Sequence, residues 1–121
     1  MANDFKRFTV ADVNTSTGAS ASAVYTVPSS SSTPVESIVI GITLANKSAA
    51  GVTASVFLDN YDGSNDVYIV KDASIPAGSS LEVMSGNKLV LQGDGSTNDV
   101  IRVSASVSSS VDATVSVLED V

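Results

Sequence analysis

The fold class is decided by one stretch of the chain, residues 35–46, which reads VESIVIGITLAN. Its large apolar side chains recur at every second position, so that Ile38, Ile40, Ile42 and Leu44 are predicted to share one face of a strand. A period of two is typical of β-structure, and β-branched residues fit a pleated, half-buried surface. We therefore predict a buried strand here.

The same alternation continues along the rest of the chain, most clearly in residues 52–58, 99–107 and 111–117. Short polar loops separate these segments from their neighbours, as in β-hairpins. The sequence predicts one hairpin in which 35–46 pairs with 52–58, and a second in which 99–107 pairs with 111–117.

The whole chain of 121 residues suits a single all-β domain. Its hydrophobic fraction is 43% but its aromatic fraction only 5%, so the core must consist of Val, Ile, Leu and Ala. About eight short strands separated by turns predict an antiparallel β-sandwich, with Ig-like, jelly-roll-like and β-tulip arrangements all open. Residues 14–121 are expected to form this domain, and residues 1–13 either a docking arm or an edge strand.

The charge balance limits the kinds of partner that the chain can bind. The net charge is −7, with only 6 Lys and Arg residues and no basic stripe, which argues against nucleic acid or an anionic membrane. Residues 1–13 are charged and contain no apolar signal segment, so secretion by a signal peptide is not expected.

Catalysis is also not expected. The chain contains neither His nor Cys, which removes the commonest general base, the thiol nucleophile and most transition-metal ligands. We predict no enzymatic activity, no catalytic residue and no cofactor. Asp59, Asp62 and Asp66 are weak candidates for a cation site because hard cations favour crowded oxygen ligands. The same residues are also what a tight turn requires.

Two segments are candidates for partner binding. Phe5, Lys6, Arg7 and Phe8 place two aromatic rings beside two cations near the start of the chain, a combination that could dock on a neighbouring subunit. The equally open alternative is an edge strand of the chain's own sheet. Tyr61, in a turn-rich loop, is a further candidate because Tyr is enriched at interfaces.

Six segments of the chain together suggest a resemblance to a known family. They are 24–28 (VYTVP), 38–46, 67–83 (VYIVKDASIPAGSSLEV), 88–91 (KLVL), 99–106 (DVIRVSAS) and 111–119 (VDATVSVLE). On these segments the chain resembles a family of small structural proteins of tailed bacteriophages, seen especially in phages of marine and freshwater bacteria such as cyanophages. The chain departs from the family at residues 92–98, where a compact Gly-Asp turn would be expected.

The resemblance implies a virion protein that is assembled in the host cytoplasm and present in repeated copies. We expect a head decoration, or cement, protein that binds major capsid subunits and itself, as a homotrimer. A neck, collar or tail component is the alternative within this class. A carbohydrate-binding fibre module is the alternative from another class, and it would depend on Tyr25, Tyr61 or Tyr68 because Trp is absent.

Overall fold

Nine strands form two antiparallel sheets in the computed structural model, which describes residues 3–28, 36–60, 66–84, 88–93 and 97–120. The predicted all-β sandwich is confirmed, with one strand more than expected. A single 3₁₀ turn, Gly18–Ser20, is the helical element of the described part of the chain. The strands are β1 (Asn3–Val10), β2 (Ser22–Thr26), β3 (Glu36–Asn46), β4 (Val52–Asp59), β5 (Val67–Ile75), β6 (Ser80–Glu82), β7 (Leu89–Gln92), β8 (Val100–Ala105) and β9 (Val111–Asp120).

The strands pair as one long hairpin that is folded over on itself. Counted outward from the connection between β4 and β5, β4 pairs with β5, β3 with β6 and β7, β2 with β8, and β1 with β9. Folding this ribbon gives sheet A, in the order β1-β9-β3-β6 with β7 also beside β3, and sheet B, in the order β2-β8-β4-β5. This nested pairing in two facing sheets is a jelly-roll arrangement.

Both predicted hairpins are wrong. Strand β3 belongs to sheet A and β4 to sheet B, and likewise β8 lies in sheet B and β9 in sheet A. Each pair is joined by an arch that crosses from one sheet to the other. Alternation shows which face of a strand is apolar, but two strands that face each other across a core have the same alternation as two that pair side by side.

The predicted inward direction of two residues of β3, Ile38 and Ile40, is also wrong. Val39, Ile42 and Leu44 are fully buried, whereas Ile40 is 40% exposed. The register against β9 shifts between Val39 and Gly41, so a β-bulge inserts one extra residue and reverses the inward face at that point. The core between the sheets is built mainly from Val, Ile, Leu and Ala side chains, as the composition predicts.

Two asparagines organise the loops at one end of the sandwich. The Oδ1 atom of Asn46 accepts bonds from the Ser48 amide (2.9 Å) and the Ser48 hydroxyl (2.7 Å), and its Nδ2 donates to the carbonyls of Ala50 (2.8 Å) and Ile75 (3.0 Å). Asn14 makes the same kind of Asx turn, with Oδ1 accepting from Ser16 at 3.2 Å. These side chains replace the ladder bonds that the backbone loses where it leaves the sheets.

Candidate interaction surface

Four apolar side chains form one row across the outer face of sheet A. Backbone pairing aligns them strand by strand: Phe5 of β1 with Leu118 of β9, Leu118 with Ile38 of β3, and Ile38 with Val90 of β7. Because successive side chains of a strand point to opposite faces, the buried Val117, next in sequence to Leu118, points into the core on the other side. We call the four residues the apolar row.

The ends of the apolar row are the most exposed large hydrophobic side chains on this face. Phe5 is 78% exposed and Val90 is 56% exposed, while Leu118 and Ile38 between them are half-buried. The bulge adds Ile40 to the same face. Single exposed apolar residues are common, but a contiguous row on a sheet face is typical of a surface that binds another protein.

Charged residues of opposite sign lie on the two sides of the apolar row. Arg7 on β1 and Lys88 before β7 lie on one side, and both are exposed. Exposed Glu36, two residues from Ile38 on β3, lies on the other side. The exposed carboxylate of Glu82 on β6, which accepts a 3.2 Å bond from Oγ1 of Thr43, lies on the same side as Arg7 and Lys88. The face is therefore apolar along its middle, with both cations on one side of the row and Glu36 on the other.

A buried polar cluster lies directly beneath the apolar row. Glu119 is only 1% exposed; its Oε2 accepts a 2.6 Å hydrogen bond from the Tyr25 hydroxyl, and its Oε1 lies 2.9 Å from Nζ of Lys6. The Tyr25 hydroxyl also lies 2.7 Å from Oγ of Ser37. Tyr25 and Lys6 each partner one oxygen of the carboxylate, which would be costly to bury unpaired.

This cluster shifts the pKa values of two of its members. Burial raises the pKa of the Tyr25 phenol well above its ordinary value, and the hydrogen bond to Glu119 raises it further. The hydrogen bond and charge of Glu119 raise the pKa of the Lys6 ammonium. Both shifts favour the protonated form at neutral pH.

The structure divides the four candidate residues of the N-terminal segment into two pairs. This segment is β1, the edge strand of sheet A, paired with β9 along its whole length. Lys6 and Phe8 are directed inward: Lys6 pairs with Glu119, and the Phe8 ring packs against Tyr25 with centroids 4.8 Å apart. Phe5 and Arg7 are on the outer face and remain available to a partner.

Asp59 and Asp66 are the loop candidates that lie within the described residues. Tyr61 and Asp62 are outside the described residues. Asp59 accepts a 2.9 Å bond from Nε of Arg102. Partial burial and the neighbouring Asp59 raise the pKa of the Asp66 carboxyl. Among the residues that the structure describes, no group of three or more acidic side chains is arranged to hold a metal ion.

Sequence reasoning missed three of the four residues of the apolar row. The alternation predicts Ile38 on the same face as Ile42 and Leu44, and it predicts no face for Leu118 or Val90. A signal is present, since Leu89-Val90-Leu91 and Val117-Leu118 place apolar residues on both faces of a strand. The row itself depends on the pairing of β1, β9, β3 and β7, which alternation does not determine.

Comparison with known proteins adds no family: neither the protein-family models nor the curated proteins match the chain. In the parts of the chain that the structure describes, there is no helix of the length and apolar character needed to cross a membrane.

Proposed function

We propose that the chain is a non-enzymatic structural subunit of a tailed-phage particle, a head decoration protein, that holds to its neighbours through the outer face of sheet A. The observation that carries the proposal is the apolar row from Phe5 to Val90. The phage context rests on the sequence resemblance. Jelly-roll sandwiches serve as capsid domains and as lectins alike, so the fold supports the proposal only by analogy.

The neighbour that fits this face is a second copy of the chain. A two-fold axis along the apolar row places Phe5 opposite the partner's Phe5, and it brings the side that carries Arg7 and Lys88 in each copy over the side that carries Glu36 in the other. Lys88 of one copy then faces Glu36 of the other. An isologous interface must be self-complementary in this way, and opposite charges at matched positions favour the correct orientation.

The size of the face sets the strength of this pairing. Four strands about 4.8 Å apart and eight residues rising about 3.3 Å each give a projected face of about 500 Å² per copy. Two such faces bury about 1,000 Å², the lower limit for a specific protein complex. We therefore propose a weak dimer of the free chain, in place of the homotrimer that the resemblance implies. Many copies on one particle would strengthen the contact, because the second contact of a tethered pair is intramolecular.

Attachment to the capsid is the second part of the proposal. Its support is the net charge of −7, which suits a basic partner surface. Attachment to a neck, collar or tail is the competing position within the particle.

The test is to mix the purified chain with phage heads that were assembled without it, and to measure the bound copies by sedimentation. Saturable binding in a fixed ratio to the major capsid protein, together with greater resistance of the heads to heat, is expected. Binding to isolated necks or tails but not to heads would move the chain to that position. Binding to none of these structures would overturn the proposal.

A further inference from the structure

A second, unrelated feature lies on the opposite side of the sandwich. The outer face of sheet B contains a half-open cavity of about 340 Å³, which we call the sheet B cup. Its floor is formed by short side chains of β4 and β8, including Ser55 and Ser104, and its wall by Tyr68, Lys71 and Asp72 of β5. Thr15 and Thr17 of the β1–β2 loop close the other side.

The cup exists because β5 departs from regular pairing. Ala54 pairs with Ala73 and Val56 with Val70, so that Lys71 and Asp72 together lie opposite the single residue Ser55. This is a β-bulge, which redirects side chains out of the regular alternation. Asp72 adopts a φ of +52°, a left-handed conformation that non-glycine residues rarely occupy.

Contacts with the floor of the cup hold the bulge in place. The amide of Asp72 donates a 2.9 Å hydrogen bond to Oγ of Ser55, and that hydroxyl lies 3.4 Å from Oδ1 of Asp72. The ammonium of Lys71 lies 5.3 Å from the centre of the Tyr68 ring, and Tyr68 in turn packs on Phe57 at 5.4 Å. The wall of the cup is therefore fixed before any ligand arrives, which lowers the entropy cost of binding.

The opposite wall is also anchored. The carbonyl of Asn14 accepts a 3.0 Å bond from the amide of Ala105 on β8, and the side chain of Asn14 bonds the loop at Ser16, Ser20 and Ser22. Thr15 and Thr17 belong to this loop, so they are held beside the floor strand.

We propose that the sheet B cup binds one neutral sugar residue of a polysaccharide. Its lining is rich in hydroxyl groups, from Thr15, Thr17, Thr53, Ser55, Ser104 and Ser106. It carries one carboxylate and one ammonium, Asp72 and Lys71, so its net charge is zero. This balance disfavours phosphate and metal ions. A sugar's hydroxyl groups can donate hydrogen bonds to the carboxylate, accept them from the ammonium, and do either with the Ser and Thr hydroxyls. Tyr68, 46% exposed, supplies apolar ring surface beside them.

The test is an NMR titration of the full chain with the methyl glycosides of glucose, galactose, mannose and N-acetylglucosamine, each to 100 mM as about the highest practical concentration for a weak site. Ligands of this size bind at best with dissociation constants of about 1 mM or weaker. Saturable shifts of the amides of Ser55, Tyr68, Asp72 and Ser104 are expected with at least one glycoside. Asp72→Asn, which keeps the amide bond to Ser55, should weaken that binding at least about 10-fold. Asp4→Asn, on strand β1 of the other sheet, should not.

Absence of saturable shifts with all four glycosides would overturn the proposal. Shifts of equal size and affinity in Asp72→Asn would do the same, as would tighter binding of inorganic phosphate. The outcome is separate from that of the decoration role: Asp72→Asn should bind phage heads as the unmodified chain does, because the cup and the apolar row are on opposite sheets.

Discussion

The hydroxyl of Tyr25 in sheet B donates a 2.6 Å hydrogen bond to the carboxylate of Glu119 in sheet A. Both residues are almost fully buried, so this bond joins the two layers of the sandwich through their common core. It also fixes the end of β9 directly beneath Leu118, the centre of the apolar row. The binding face is thus supported by a specific polar contact as well as by hydrophobic packing.

Replacement of Tyr25 by Phe should destabilise the domain by about 1.5–3 kcal/mol, because it removes a hydrogen bond to a buried charged group and leaves Glu119 with one partner fewer. Urea denaturation of the two proteins measures the difference. Tyr68→Phe is the matched control: Tyr68 is 46% exposed, so its hydroxyl can exchange a bond for water at a cost below about 0.5 kcal/mol. Equal effects of the two substitutions would contradict the role of the Tyr25–Glu119 bond.

The stability of the domain should fall at alkaline pH, because deprotonation of Tyr25 and Lys6 removes the partners of Glu119. The pKa of Tyr25 is raised from its ordinary value of 10.0 and that of Lys6 from 10.5, so both groups bind their protons more tightly in the folded state. Their contribution is complete below these ordinary values and is lost as the pH rises through the raised folded-state pKa values. Urea midpoints measured between about pH 8 and 12 should therefore decrease steeply at the upper end. The decrease should be smaller in Tyr25→Phe; an unchanged slope would exclude Tyr25 as its source.

The sequence was sufficient for the fold class and for most of the core. Alternation correctly placed Val111, Ala113, Val115 and Val117 on the inward face of β9, because burial of one face imposes a period of two whatever the topology. Alternation could not determine which strands pair with each other. The jelly-roll winding depends on contacts between residues far apart in sequence, such as Phe5 with Leu118, and no local pattern encodes them.

Asn46 is expected to be the most sensitive polar residue of the loop end. Asn46→Ala would remove four hydrogen bonds and leave the buried carbonyl of Ile75 without its amide partner, at a cost of about 2–4 kcal/mol. Asn46→Asp is the informative companion, since it keeps the bonds to Ser48 and loses those to the two carbonyls. In urea denaturation, Asn46→Asp should be as unstable as Asn46→Ala or less stable, because the aspartate places a charge beside carbonyl oxygens. A loss below about 0.5 kcal/mol for Asn46→Ala would show that the loop is held by other contacts.

The binding face was predictable only in part, and for a physical reason. Phe5 and Arg7 could be singled out because an aromatic ring beside a cation is unusual in so aliphatic a chain. The pairing of β1 with β9 directs alternate residues of β1 to opposite faces of sheet A, so that Lys6 and Phe8 point inward. Glu119 follows Val117 at the next inward position of β9, but its burial is not predicted, because carboxylates are rarely buried unless paired and its partners Tyr25 and Lys6 are distant in sequence.

Ser substitutions in the apolar row should separate self-association from folding. Phe5→Ser and Val90→Ser remove exposed side chains, so each should change the free energy of unfolding by less than about 0.5 kcal/mol. In the proposed dimer each substitution acts twice, once in each copy. The loss of two buried Phe rings should raise the dissociation constant at least about 100-fold from a starting value of about 10–100 µM. Sedimentation equilibrium over this concentration range measures the change.

Val107→Ser is the matched control, because Val107 is 52% exposed but lies in the loop between β8 and β9, away from sheet A. A charge reversal then tests the orientation of the two copies: Lys88→Glu alone should weaken the dimer, and Glu36→Lys in the same chain should restore it, since each pair would again have opposite signs. A trimer in the unmodified protein, or a dimer that is insensitive to both Ser substitutions, would show that the copies meet through a different surface.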